Sequence, residues 1–359
     1  MCYRNRKMPL QTTVIGSYPK PDYLQVPDWF VDHHVPSPRH YNDFIRTQDT
    51  TELHAAILQA KSDVIQDQIG MGLDVITDGE VSRENYIHDF CRHLNGFDFE
   101  RPEMMTHNGL CRFEVPVINQ KVGIGDDEDF CAEEWKEAQS MSHKAVKMTL
   151  PGPLTIIHMT HTPVGGIYKD RKQLSLDLTT VINHQVLNLV EAGCTHIQID
   201  EPVLVSHPDI ALEYGIDHLE KCFEGVNDSA QKIVHLCCGY PRALDDDDYP
   251  RADRNVYKLL ADRVDQSCFD AVSLEDAHQH NDLDLFDHFK NVKVILGVVK
   301  IACSKVESVQ EIKERVREVL KHIPAKNLIL APDCGLGFLP RDILQQKVTN
   351  MVLAAKSLP

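Results

Sequence analysis

Eight short apolar runs punctuate the chain. Between most of them lie longer segments whose apolar residues recur every three or four positions. The runs are Thr12–Ile15, Leu73–Thr77, Ala145–Thr149, His196–Ile199, Ile233–Leu236, Ala271–Leu274, Val292–Gly297 and Leu328–Ala331. They are β-branched or Leu-rich and lack a clean polar alternation, which fits strands covered on both faces. Leu53, Ile57, Ala60, Val64, Ile65 and Ile69 trace one helical face, opened by Asp49 with Glu52 as a capping box. Leu174, Leu178, Ile182 and Leu189 mark a second helix. Val309, Ile312, Val316 and Leu320 mark a third, opened by Ser308 and Glu311, and Leu344, Val348, Met351 and Ala355 a last one. Strand and helix alternating in this way predict an α/β fold, a single (β/α)8 TIM barrel over residues 1–359. A doubly wound open sheet would carry a Gly-rich dinucleotide fingerprint after its first strand, and none follows here.

Two stretches break the rhythm. Residues 21–49 are rich in Pro, His and aromatics, and residues 85–142 are long, acidic and mixed. Both follow strand ends, so both are expected to be βα insertions lying over the active face.

Composition narrows the class. Of 359 residues 42% are hydrophobic, enough for a sizeable core, and no apolar run approaches the roughly 18 residues of a membrane span. The formal charge of −17, with no basic stripe, disfavours a nucleic acid partner. The N-terminus is basic without an apolar segment behind it, so no secretory signal is expected. Eleven Cys at irregular spacing do not form a disulfide framework, and a reducing, cytoplasmic setting is expected. The acidic run Asp245–Asp248 lacks the spacing and glycine of a calcium loop and reads as a solvated loop.

In a (β/α)8 barrel the C-terminal strand ends share one face and carry the chemistry. Here those ends present Gly16 and Ser17, Asp78 and Glu80, Gly152, Asp200 and Glu201, His235 and Cys237, Glu275 and Asp276, Lys300, and Asp333 and Cys334. His235, Cys237, Glu275 and Cys334 form a ligand set of imidazole, carboxylate and two thiolates that suits Zn²⁺. A net-negative set of this kind activates water poorly, whereas it is suited to holding a further thiolate as a nucleophile. Their spacing matches no zinc-finger pattern, and buried cysteines commonly serve packing alone. Cys238 competes as a ligand but alternates to the other side of its strand, and with Cys194, Cys222 and Cys268 it reads as packing. Asp200, Glu201 and Glu80 are candidates for a substrate ammonium or for ordering loops, and Gly16–Ser17 for a substrate carboxylate or for a simple turn.

The motifs TTVIGSYP from Thr12, DVITDGEVSREN from Asp74, LPGPLTI from Leu150, IQIDEPVL from Ile197, HLCC from His235, SLED from Ser273 and PDCGLG from Pro332 run through the whole chain. In content and order they resemble the C-terminal catalytic barrel of cobalamin-independent methionine synthase. The resemblance implies a zinc-dependent methyltransferase making methionine from homocysteine. It implies His235, Cys237, Glu275 and Cys334 as zinc ligands, and Ile15, Gly16, Ser17, Glu80 and Asp200 as the homocysteine site. In that family the incoming thiol joins the zinc and the bound carboxylate moves away.

Two departures bear on the methyl donor. The family's folate enzyme has an additional N-terminal barrel, which this length is not expected to hold. Its seventh strand carries an Asp-x-His that protonates the folate leaving group, whereas the corresponding GVVKIACS has Lys300 and Ala302. His88 and His158 are candidate replacements for that acid. The donor therefore stays open among methyltetrahydrofolate, a methylated corrinoid and another carrier. Alternative readings are a thiol alkyltransferase like the epoxyalkane–coenzyme M transferases, and a zinc-binding barrel without catalysis. Glu80 and Asp200 favour an amino-acid thiol over a sulfonate thiol, which needs no acidic partner. A uroporphyrinogen decarboxylase-like activity shares the fold but needs neither thiol ligand.

Overall fold

The structure is a computed structural model that describes residues 9–30, 37–107, 111–241, 243–246, 249 and 251–358. Its strands are β1 Gln11–Thr12, β2 Val75–Ile76, β3 Leu94–His107, β4 Cys111–Ile124, β5 Ala145–Val146, β6 Met148–Pro151, β7 His196–Asp200, β8 Gln231–Leu236, β9 Ala271–Leu274, β10 Lys293–Val299 and β11 Leu328–Pro332. All eight predicted runs are strands, with β5 and β6 forming one run split at Lys147. A parallel sheet runs β1-β11-β10-β9-β8-β7-β6, and β2 pairs in parallel with β5. A parallel bridge from Thr13 to Val75 closes the ring. The result is the expected barrel of parallel strands.

The helices begin and end where the side chains dictate. Asp49 accepts from the Thr51 and Glu52 amides at the start of Thr50–Met71, which stops at Gly72 in the left-handed conformation (φ 88°). Asp170 opens Arg171–Ala192, which stops likewise at Gly193 (φ 98°). Ser308 and Glu311 form the reciprocal capping box expected of them. The final helix, Arg341–Lys356, buries Leu344, Val348, Met351 and Ala355 against β1, β10 and β11.

Inside the ring, one half is apolar: Ile15, Ile233, Ala271, Ile295, Ile329 and Ala331 pack as a cluster. The other half is polar and built from Lys147, Thr149, Gln198 and Asp200, all buried.

The insertions take a form their composition did not reveal. Residues 85–142 contain the helix Tyr86–Arg92, the long antiparallel hairpin of β3 and β4, and the helix Phe130–Ser140. Within 21–49 the described part contains the helix Pro38–Thr47. Of the acidic run, Asp245 accepts from the Ser304 amide and hydroxyl (2.7 and 3.0 Å), while Asp247 and Asp248 lie outside the described residues. Asp245 thus orders a loop. Among the described residues no helix is long and apolar enough to cross a membrane.

Candidate metal centre and active site

Three of the four expected metal ligands meet. Ligand atoms of His235, Cys237 and Cys334 all lie within 4.8 Å of one another, buried at the ends of β8 and β11. His235 Nε2 is 3.3 Å from Cys334 Sγ, and its Nδ1 is 3.0 Å from Ser273 Oγ, which fixes the ring so that Nε2 faces the sulfurs. The two thiols titrate as a pair. A hydrogen bond from Cys334 drives Cys237 well below the ordinary thiol range, with His235 assisting and burial opposing. The same hydrogen bond, burial and the Cys237 charge drive Cys334 well above it.

Glu275 stands beside this trio but does not join it. Its Oε1 accepts from the Cys238 amide (2.9 Å), and its carboxylate falls within 4.8 Å of His278 and Asp333. Burial, followed by the charges of Asp333 and Cys237, pushes its carboxyl well above the carboxylate range. Two thiols, an imidazole and a carboxylate crowded in a buried space are short of positive charge. A divalent cation with soft affinity fits that deficit.

The loop carrying Glu275 is fixed from below. Asp333 accepts from the amides of Asp276, Ala277 and His278 (2.9, 2.8 and 2.7 Å) and from His278 Nδ1 (2.7 Å). Asp276 receives Arg315 through Nε and Nη2 (2.6 and 2.7 Å) and the Asn281 amide (2.8 Å). Gly297 is required here, because a Cβ would fall 2.1 Å from Asp333 Oδ1. Asp276 and Asp333 therefore order the loop.

The second group lies across the barrel mouth. Glu80 sits over the Gly16 turn so closely that a Cβ on Gly16 would be 2.3 Å from Oε1. Its backbone is left-handed (φ 56°), following Gly79 (φ 75°), and Asp78 Oδ1 accepts from the Glu80 amide (3.0 Å). Thr149 Oγ1 donates to Glu80 Oε1 (2.7 Å), and Gln198 Nε2 donates to Asp200 Oδ1 (2.7 Å). Burial pushes Glu80 up to about 7 against the opposing Arg83 charge. Burial likewise pushes Asp200 up to about 6, with His235 opposing. Ile15, Gly16 and Ser17 line the same turn, and the Ser17 carbonyl accepts from the Leu336 amide (2.8 Å), tying it to the Cys334 loop.

Other strand-end residues have structural duties. Glu201 Oε2 accepts from the Leu154 amide (2.8 Å) and Oε1 from Thr155 Oγ1, capping the helix Pro153–His158. Lys300 presents its amide to Glu307 (3.0 Å). Cys238 packs against Tyr257, away from the trio. His88 is buried, with its Nε2 3.4 Å from the Met159 carbonyl, and burial lowers its pKa to about 4. His158 packs edge-on against His207.

Several site residues escaped the sequence reading. Tyr240 donates to the Gly335 carbonyl (2.8 Å) and stacks with Trp29, Phe30 and Phe338, and Trp29 also meets Tyr86. This aromatic roof joins the first insertion to the β8 and β11 loops. Ser273, Thr149, Gln198 and Lys147 were missed too. Three of them precede a named site residue by two positions or follow Lys147 by two, the spacing that keeps side chains on one side of a strand.

The site thus combines a thiol–imidazole cluster able to hold a metal ion with a glycine turn and two raised carboxyls, at the mouth of a (β/α)8 barrel. Residues 10–357 match the family described as the catalytic domain of cobalamin-independent synthase, and the chain belongs to that family. It is 31% identical to the methionine synthase of Saccharolobus solfataricus, over 98% of this chain and 95% of that one. It is 29% identical to that of Sulfolobus acidocaldarius, over 96% and 90%. A B12-independent methionine synthase from Shewanella sp. W3-18-1, solved with selenomethionine, superposes with TM-score 0.82 at 26% identity, covering 97% of both chains.

Behind Glu80 lies an ion network that ties the second insertion to the barrel. Arg83 Nη2 meets Glu134 Oε2 (3.1 Å), Lys61 meets Glu134 (3.7 Å) and Glu137 (2.7 Å), and Arg83 Nη1 donates to the Thr149 carbonyl (3.1 Å). Burial pushes Glu134 up, but Arg83 and Lys61 outweigh it and hold the carboxyl at about 2, below its ordinary 4.5. A depressed folded-state pKa gives stability that is complete above 4.5 and lost as pH falls toward about 2. Glu134→Gln is expected to lower unfolding free energy by about 3 kcal/mol near neutrality, because it strands buried cations. Urea denaturation at a series of pH values checks this. The difference between wild type and variant should shrink across that acid window, and a constant difference would refute the assignment.

Proposed function

We propose that this chain transfers a methyl group to the sulfur of homocysteine, producing methionine, with Zn²⁺ held by His235, Cys237, Cys334 and Glu275. The observation that carries this reading is the meeting of His235, Cys237 and Cys334 within 4.8 Å, in a chain of the synthase family. Bound there, zinc would lower the pKa of an incoming thiol and keep it nucleophilic. In the balance of the reaction, the sulfur–methyl bond forms, the donor–methyl bond breaks, and the thiol proton leaves to solvent or donor.

The chain's own residues set the substrate. Glu80 and Asp200 take the ammonium group, and the Ile15–Gly16–Ser17 turn with the Ser17 hydroxyl takes the carboxylate. The aromatic roof limits water at the sulfur. Asp333 and Asp276 hold the Glu275 loop, and Ser273 holds the His235 ring. The partners are thus small molecules, an amino-acid thiol and a methyl donor, and no nucleic acid or membrane is involved. A reducing, cytoplasmic setting suits a site of two free thiols.

Zinc content tests the metal assignment. Cys237→Ser and Cys334→Ser are each expected to lose most of the metal in elemental analysis of the purified protein. Full occupancy in both variants would sink it.

The acids give a pH signature. Glu80 and Asp200, raised to about 7 and about 6, must ionise before they can pair with an ammonium. Affinity for methionine, which has no thiol to confuse the titration, is expected to climb as pH rises through this range and then level off. Glu80→Gln removes the upper part of the climb. Calorimetry showing a flat profile across about pH 5 to 8 would exclude these acids as the ammonium site.

The donor follows from position 302. Ala302 is buried and offers no proton, so a donor with a good leaving group, such as a methylated corrinoid or a sulfonium, fits best. Turnover with methyltetrahydrofolate is expected to stay well below about 1 s⁻¹. Steady-state assays reaching that rate would point instead to His278, held by Asp333, as the proton source.

A further inference from the structure

A lysine deep inside a barrel is an unusual choice. Lys147 is 1% exposed, lies at the break between β5 and β6, and has been given no role beyond its place in the polar half of the barrel. Its Nζ donates to the Val14 carbonyl (2.5 Å) and, in a short hydrogen bond, to Gln198 Oε1. With its oxygen held, the Gln198 amide has one orientation left. Its Nε2 donates to the Ile15 carbonyl (3.0 Å) and to Asp200 Oδ1 (2.7 Å). Every atom in this chain has a complementary neighbour, which identifies the amide's oxygen and nitrogen without ambiguity.

We propose that Lys147 and Gln198 are positioning residues that set the two ends of the amino-acid pocket relative to each other. One end is the Val14–Ile15 backbone leading into the Gly16–Ser17 turn, and the other is the Asp200 carboxylate. Gln198 touches both, and Lys147 prevents its amide from flipping. A flipped amide would turn its oxygen toward Asp200 Oδ1 and the Ile15 carbonyl, placing acceptor against acceptor at both contacts. With Oδ1 held from below, Asp200 keeps Oδ2 for the substrate ammonium. An ammonium and a neutral amine both supply the two donors used here, so the device works in either protonation state of Lys147.

The inference rests on the reading of Asp200 as the ammonium acceptor, and the test separates the two. Lys147→Met and Gln198→Met keep side-chain length without the hydrogen bonds. Each is purified with its metal and compared with wild type and Asp200→Asn. Zinc content and melting temperature report folding. Calorimetry reports binding of homocysteine and of 4-mercaptobutyrate, which lacks only the amino group. Wild type is expected to prefer homocysteine, and Lys147→Met and Gln198→Met to lose about tenfold or more of that preference. Binding of 4-mercaptobutyrate should change little and zinc content not at all, and the loss in turnover should fall on KM more than on kcat. If Asp200→Asn loses the preference but both Met variants keep it, the positioning role is wrong and the Asp200 reading stands. If Asp200→Asn itself keeps the preference, the Asp200 reading fails, and the inference fails with it. If Lys147→Met does not fold, Gln198→Met alone decides, since it breaks the same contact at the amide.

Discussion

Buried negative charge at the barrel mouth is the constraint around which the rest is arranged. Glu80, Asp200, Glu275, Asp333 and the Cys237–Cys334 pair share a space with little water, where an unpaired anion is heavily penalised. The protein answers in two ways. Asp333 receives three loop amides and an imidazole, which more than offset burial and keep its carboxyl low. Glu201 has both oxygens occupied by a helix start. These acids build the frame. Among the described residues, Glu80 receives the Thr149 hydroxyl with the Arg83 guanidinium 3.8 Å away, Asp200 receives Gln198 and Glu275 the Cys238 amide, and all three are pushed upward. Burial also lifts Glu201, to about 8, so the upward shift alone does not separate the two kinds of acid; the donors each one receives do. In the function proposed above, Glu275 would serve the metal, and Glu80 and Asp200 the ammonium.

Much of this was legible in the sequence for a single physical reason. Strands covered on both faces are apolar, so a His, Cys or Asp at the end of such a run stands out. That contrast located all eight strands and every residue named at their ends. It did not separate an acid left with one side-chain donor from an acid that caps a helix, because Asp200 and Glu201 are adjacent and chemically alike. The difference appears only when Gly152 brings its helix within reach of Glu201 and leaves Asp200 to Gln198. The expected fourth ligand shows the same limit. Glu275 has the expected residue type at the expected strand end, yet its oxygen is engaged with a backbone amide beside the thiols rather than among them.

The insertions were legible as interruptions but not as structures. Residues 85–142 mix charged and apolar positions without a sustained period, because the β3–β4 pairing shifts register between Asn95 and Phe97 and again between Asp98 and Glu103. The aromatic roof has the opposite problem. Trp29, Phe30, Tyr86, Tyr240 and Phe338 are scattered over four separate segments, and nothing local links them. Only closure of the barrel brings the β8 and β11 loops beneath the first insertion.

Glu80 joins these levels. A non-glycine residue in the left-handed region costs about 1–2 kcal/mol, and Glu80 follows Gly79 into it. The turn is held there by Asp78 at the Glu80 amide, by the Tyr18 amide on the Gly79 carbonyl, and by Thr77 Oγ1 on the Gly16 carbonyl (2.9 Å). The same contacts draw the Glu80 carboxylate onto a turn that tolerates no Cβ at Gly16. Relaxing the backbone at 80 would swing the carboxylate away from Thr149 and from the turn together. In the proposed pocket, the strain would therefore maintain the distance between the acid assigned to the ammonium and the turn assigned to the carboxylate. A rigid separation of that kind would select a zwitterion of one length, so the turn geometry would contribute to specificity as well as to binding.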